Sequence, residues 1–202
     1  GRDAMGGSFL GPAFRQNQIE ERLARVGAKF TALSAAGTID AAATALAEGK
    51  AVGWFQGRME FGPRALGGRS ILGDARSPEM QKTLNLKVKY RESFRPFAPS
   101  VLFEDLADWF EMNHQSPYML VVGGVAEDRR RQTGDEEKTL FGIDKLNAAR
   151  SQIPAVTHVD YSARVQTVHG DTNPRYHALI TRFKELTGCP VIVNTSFNVR
   201  GE

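Results

Sequence analysis

A chain of 202 residues fits one sizeable domain, or one domain plus a fragment, and its 41% hydrophobic and 24% charged residues are ordinary for a soluble globular protein with an ample core. A sequence pI near 9.1 points to anionic ligands, but a net charge of only +3 and the lack of a long Lys/Arg block do not by themselves imply nucleic acid. The lone cysteine, Cys189, excludes an internal disulfide and a cysteine-based zinc site and fits a reducing cytoplasm, and no apolar stretch approaches the roughly 18 residues of a membrane span.

Residues 1–16 read as a Gly-rich, irregular lead-in. Gly11-Pro12 would close a turn there. From Asn17 to Ala28, Ile19, Leu23 and Val26 recur at one-turn spacing and predict a helix that stops near Gly27. A second helix is predicted from Thr38 to Glu48, with Gly49 as its C-terminal stop. The short apolar run from Ala51 to Gly57 predicts a buried strand, so a helix feeds a strand in the grammar of an α/β fold.

The next stretch, Gly53 to Arg76, interleaves Arg58, Arg64, Arg69 and Arg76 with five glycines from Gly57 to Gly73. Arginine presents a planar fork of donors that matches phosphate or carboxylate oxygens in pairs. Glycine lets the backbone approach a ligand closely. From Arg58 to Arg95 there are nine Lys/Arg against four acids, so the basic charge is concentrated here and the rest of the chain is slightly acidic. Salt bridges to nearby acids are the expected fate of Arg58, Arg69 and Arg76.

Arg69–Asp74 predicts a second strand. Ser77-Pro78-Glu79 then predicts a helix start, with Ser77 as its cap and an end near Lys89. Further strands are predicted at Phe97–Phe103 and Tyr118–Val125, with a short amphipathic helix at Glu104–Glu111 between them. Residues 126–151 are charged and lack a period; they predict a surface excursion in which Arg129, Arg130 and Arg131 are solvated. Two strands are predicted at Ile153–Asp160 and Ser162–Val168. Asn173-Pro174 opens a helix whose apolar stripe is Tyr176, Leu179, Ile180, Phe183 and Leu186, ended by Gly188. Val191–Val193 is a buried strand with the polar run Asn194 to Asn198 at its C-terminal end, where α/β proteins commonly bind ligands.

No nucleophile–base pair stands at a fixed spacing. There is no G-x-x-x-x-G-K-[ST] phosphate loop, and Gly62 to Gly68 is not a dinucleotide fingerprint. His158 and Asp160 would share one face of a strand, an ordinary hydrogen-bonded pair; His114, His169 and His177 are expected at the surface. If a nucleotide binds here, a basic concavity would hold it, with chemistry from positioning and charge stabilisation.

Four segments in order carry a resemblance: GRMEFGPRALGGRSIL, KYRESFRPFAPSV, SARVQTV and NTSFNVRGE. Together they resemble the C-terminal part of the O-carbamoyltransferase family, whose members decorate nodulation factors and antibiotics. The resemblance runs from about Ala51 to the last residue and is unspecific near residues 104–150. It implies an α/β (α+β) fold, a YrdC-like twisted mixed sheet with flanking helices, over residues 17–202. Residues 1–16 would be the tail of a preceding domain.

The resemblance also implies chemistry. ATP and carbamoyl phosphate would give carbamoyl-adenylate, with magnesium accompanying the nucleotide. An actin-like N-terminal domain would pass the carbamoyl group to a hydroxyl. That domain and its metal-binding histidines do not occur in these residues, and the sequence stops at Arg200-Gly201-Glu202, directly after the last motif. Complete transfer is therefore not expected of this chain alone. Carried onto this sequence, Lys89 and Arg95 are the catalytic candidates; Arg64, Arg164, Ser196 and Asn198 are the nucleotide-binding ones; His158 is a weaker pocket candidate; no metal ligand is implied. Two alternatives stay open: a non-catalytic docking domain, and an RNA-binding module. The second needs surface aromatics, whereas Trp54, Phe55, Phe97 and Phe103 lie in apolar runs and read as core.

Overall fold

The computed structural model describes residues 3–131 and 149–198. The larger part of the expected charged excursion, 132–148, lies outside the described residues, as do Arg200, Gly201 and Glu202.

The chain forms a mixed six-stranded sheet flanked by helices. Its elements are α1 (Gln16–Arg25), α2 (Ala35–Ala47), β1 (Val52–Phe55), β2 (Arg69–Asp74), α3 (Met80–Thr83), β3 (Ala98–Leu102), α4 (Leu106–Trp109), β4 (Val121–Gly124), β5 (Ser162–Val168), α5 (Pro174–Thr187) and β6 (Val191–Ser196). The strand order is β1-β2-β6-β3-β5-β4. Only β3 and β5 run parallel; the other neighbours are antiparallel. The α/β expectation holds, and the predicted β2 matches residue for residue.

Helix α5 forms for the expected reason. Tyr176, Leu179, Ile180 and Phe183 are buried on one side, and Gly188 ends the helix at φ 75°, with its N–H bonded to the Lys184 carbonyl. The helix packs on α2, where Ala43 and Leu46 are buried. The centre of β6, Val191 to Val193, is fully buried because the sheet is covered on both sides. On one side Met80 and Leu84 press against Gly73, where a Cβ would meet Met80 Sδ at 2.7 Å. Arg76 pairs with Asp74 at 2.8 Å, as expected of it.

Several expectations fail locally. Ser77 does not cap a long helix: α3 starts at Met80 behind Glu79 and passes into a π-helical segment, Leu84–Val88. Residues 153–160 are no strand but a 3₁₀ turn at Pro154–Val156 followed by a loop. Pro154 at the first position of that turn breaks the alternation. Arg58 and Arg69 bond carbonyl oxygens in place of acids, Arg58 to Gly11 and Arg69 to Gln56, Gly57 and Gly68. Phe55 is not core; it is exposed beneath the Arg69 guanidinium, 3.5 Å from its ring centre. His169 is half-buried and stacked on Phe103. Arg130 is anchored to Glu111 and to the Val125 carbonyl, so it is not simply solvated.

No helix among the described residues is long and apolar enough to cross a membrane.

Candidate functional site

Strand register assembles the site. Asn194 on β6 stands opposite Ala98 on β3, and Val122 on β4 stands opposite Arg164 on β5. Ser100 stands opposite Gln166 in the parallel pair, so Ala98 and Arg164 are side by side two residues earlier. Alternation puts Asn194, Ala98, Arg164 and Val122 in one row on one face of the sheet. Tyr176 of α5 reaches the same face at Ser100, where its hydroxyl donates to the Ser100 Oγ at 2.9 Å. Two cavities are lined by members of that row.

Three cavities lie side by side and share Pro96. One, of about 180 Å³ and strongly polar, is lined by Arg64, Arg91, Arg164, Asn194, Thr195 and Ser196. A second, of about 300 Å³, is lined by Arg164, Val122, His158 and Ser162. The third, of about 340 Å³, is mainly apolar and lined by Phe94, Arg95, His158 and Val159. The first two share Arg164, and the last two share His158.

The polar cavity concentrates positive charge without matching negative charge. Among the described residues neither Arg64 nor Arg164 makes an ion pair, and the Nε of Arg164 and the Oδ1 of Asn194 are buried with no hydrogen-bond partner. Orphaned buried groups are costly and call for an explanation. Burial, and then the Arg64 guanidinium, push the Arg164 pKa below its usual value. Arg91 is depressed likewise, by burial first and by Arg95 second, with Glu92 opposing.

Lys89 completes the cluster at the end of β6. Its Nζ donates to the Ser196 carbonyl at 2.5 Å, to the Ser196 Oγ at 3.1 Å and to the Asn198 Oδ1 at 2.8 Å. All three acceptors are neutral, so they offer no counter-charge. Burial, and then Arg91, push the Lys89 pKa down to about 8. Tyr90 takes up φ 48°, a left-handed conformation costly for a residue with a Cβ, between Lys89 and Arg91. Asn85 is fully buried and holds the following turn: its Nδ2 donates to the Ser93 and Arg95 carbonyls, and its Oδ1 accepts from Arg91 Nε at 2.6 Å.

Of the candidates read from the sequence, Arg64, Arg164 and Ser196 line the polar cavity together, and Lys89 and Asn198 are bonded to Ser196 at its edge. Arg95 is placed apart. It is exposed in the neighbouring apolar cavity with His158, 3.9 Å from Glu92. His158 lies in a loop, 4.0 Å from Asp160. Arg91 and Asn194 are the residues that the candidates omit. A signal existed for Arg91: it is two residues from Lys89 in the same motif. Asn194 carried one as well, in its place at the head of the polar run that follows β6.

Among the described residues no group of three or more His, Cys, Asp or Glu is arranged to hold a metal ion.

The family described as "Carbamoyltransferase C-terminus" matches residues 43–202. The chain belongs to that family. It is 59% identical over 202 residues, 99% of its length, to the uncharacterized protein sll1178 of Synechocystis sp., of which it covers 33%. It is 44% identical over 164 residues to nodulation protein NolO of Bradyrhizobium diazoefficiens, covering 80% of this chain and 26% of that protein. It is 41% identical over 162 residues to the 3'-hydroxymethylcephem-O-carbamoyltransferase of Streptomyces clavuligerus, covering 80% of this chain and 27% of that enzyme. The chain thus spans a third or less of the length of these relatives.

Proposed function

We propose that this chain is the nucleotide-activating part of an O-carbamoyltransferase, binding ATP and carbamoyl phosphate in the basic cavity to form carbamoyl-adenylate. The observation that carries this reading is the orphaned charge at the cavity floor, Arg164 beside Arg64 with its Nε unpartnered. Such an arrangement is stabilised when phosphate oxygens supply the missing acceptors. Kinship with a named O-carbamoyltransferase supports the choice of chemistry.

The reaction balances as follows. Water releases phosphate from carbamoyl phosphate and leaves carbamate. A carbamate oxygen forms a bond to the α-phosphorus of ATP, and the bond from that phosphorus to pyrophosphate breaks. In this scheme Arg64, Arg91 and Arg164 hold phosphate oxygens in forked pairs. Lys89 holds its charge against the phosphate that gains charge as pyrophosphate departs. Ser196, Asn198 and Asn194 orient the groups by short polar contacts. Magnesium would arrive on the nucleotide's own phosphates and supply further charge neutralisation there. The carbamoyl group then passes to a hydroxyl acceptor at the actin-like domain of the longer protein. A YrdC-like relationship and a cytoplasmic location belong to the same reading.

Lys89 provides the test. Its folded pKa of about 8 is lowered from 10.5, so the unfolded chain binds its proton more tightly. Below pH 8 that protonation favours the unfolded state in full; stability from this group rises between pH 8 and 10.5. Anion binding runs the other way, because only the ammonium form attracts phosphate. Calorimetric titration with ATP should therefore show affinity falling as pH rises through about 8. Lys89→Met should bind more weakly at pH 7 and lose this pH step. Wild-type affinity in Lys89→Met, with the fold intact, would sink the assignment.

A further inference from the structure

The segment from Gln56 to Gly68 has no regular secondary structure, yet it delivers Arg64, Pro63 and Ala65 to the polar cavity. Buried polar groups hold it from both sides. Glu60 is 7% exposed, and its Oε1 alone accepts from the backbone N–H groups of Leu66 at 2.8 Å, Gly68 at 2.6 Å and Arg69 at 3.1 Å. The carbonyls of the same turn are taken by side-chain amides of the sheet, of the start of α5 and of Gln56. Ala65 accepts from Asn194 Nδ2, Leu66 from Gln166 Nε2 and Asn173 Nδ2, and Gly67 from Gln56 Nε2. Gly68 cannot be larger, since a Cβ there would sit 2.8 Å from the Arg58 carbonyl and 3.1 Å from the Glu60 carboxyl carbon.

A loop without a ladder needs its donors satisfied in some other way. A carboxylate accepting several N–H groups is the strong form of that solution. Glu60 lines none of the three cavities described above, yet the turn it closes is the turn that follows Arg64. We propose that Glu60 is the positioning residue of the anion cavity, its buried carboxylate locking the 61–68 turn so that Arg64 stands beside Arg164. This rests on the reading of the cavity as a phosphate site.

The test is a double-mutant cycle with inorganic pyrophosphate as the probe, titrated into the whole chain by calorimetry. Glu60→Ala should weaken binding about 10-fold or more, the scale of losing the charged hydrogen bonds of a displaced Arg64. Glu60→Gln keeps an oxygen acceptor and should retain most of the affinity. In the Arg64→Ala background Glu60→Ala should add nothing, because the two act through one path. Unchanged affinity in Glu60→Ala, or an equal loss in both backgrounds as a purely structural role would give, overturns the proposal.

Amide hydrogen exchange gives a second reading that needs no ligand. The Leu66, Gly68 and Arg69 amides should exchange slowly in the wild type and fast in Glu60→Ala, or in Glu60→Asp if the alanine variant does not fold. The amides of β6 should be unchanged. Fast exchange at those three amides in the wild type overturns the proposal. If the wild type does not bind pyrophosphate while those amides follow the expected pattern, the phosphate reading of the cavity falls and the Glu60 clamp stands.

Discussion

Arg164→Ala is expected to weaken ATP binding by about 10- to 100-fold, the range for losing charged hydrogen bonds, while leaving the unliganded chain as stable as before or more stable. The two halves of this result have one cause. In the unliganded chain Arg164 is a half-buried cation beside Arg64, with its Nε unsatisfied, so removing it relieves like-charge repulsion and desolvation. With phosphate present the same group is expected to make the forked contact that holds the ligand. Binding and stability that move in opposite directions mark a site whose strain serves function. Titration calorimetry and thermal unfolding on one preparation read both. A drop in stability with unchanged ATP affinity would show that Arg164 is a structural residue.

Gly67→Ala is expected to cost roughly 2–5 kcal/mol of stability, combining a strained backbone with overpacking. Gly67 sits at φ 99°, and a Cβ there would lie 2.4 Å from the ring of Tyr176. Tyr176 is fully buried and tied to Ser100, so the ring has nowhere to retreat. Relief must come from the turn, which carries Arg64, so ATP affinity should fall as well. Chemical denaturation measures the first effect and titration the second. A variant of wild-type stability would mean that the turn is far looser than its contacts describe.

The long periodic elements were legible because burial follows sequence spacing. Tyr176, Leu179, Ile180 and Phe183 announce α5, and Gly188 announces its end. The apolar run before Asn194 announces β6. Legibility failed where tertiary contacts outrank local pattern. Residues 153–160 alternate like a strand, but Pro154 and the bond from Thr157 Oγ1 to the Ile153 carbonyl turn them into a compact loop. The π-helical segment at Leu84–Val88 has no signature in composition.

At the site, motif resemblance located Arg64, Lys89, Arg164, Ser196 and Asn198, which converge. Arg91 and Arg95 are four residues apart in one motif, and spacing alone does not say which one faces the cavity. The left-handed turn at Tyr90 and the buried Asn85 decide it in favour of Arg91, and neither is visible as pattern. Glu60 reads in sequence as one more acid in a basic stretch; only burial shows that it serves the backbone.

Under the proposed function, this cavity activates carbamoyl groups with ATP. The most direct test is pyrophosphate release from ATP by the purified chain, with and without carbamoyl phosphate. Pyrophosphate is expected only when both substrates are present, and its release should be lost in Arg164→Ala. A preparation that binds both substrates yet releases no pyrophosphate, or that yields ADP and phosphate, would contradict it.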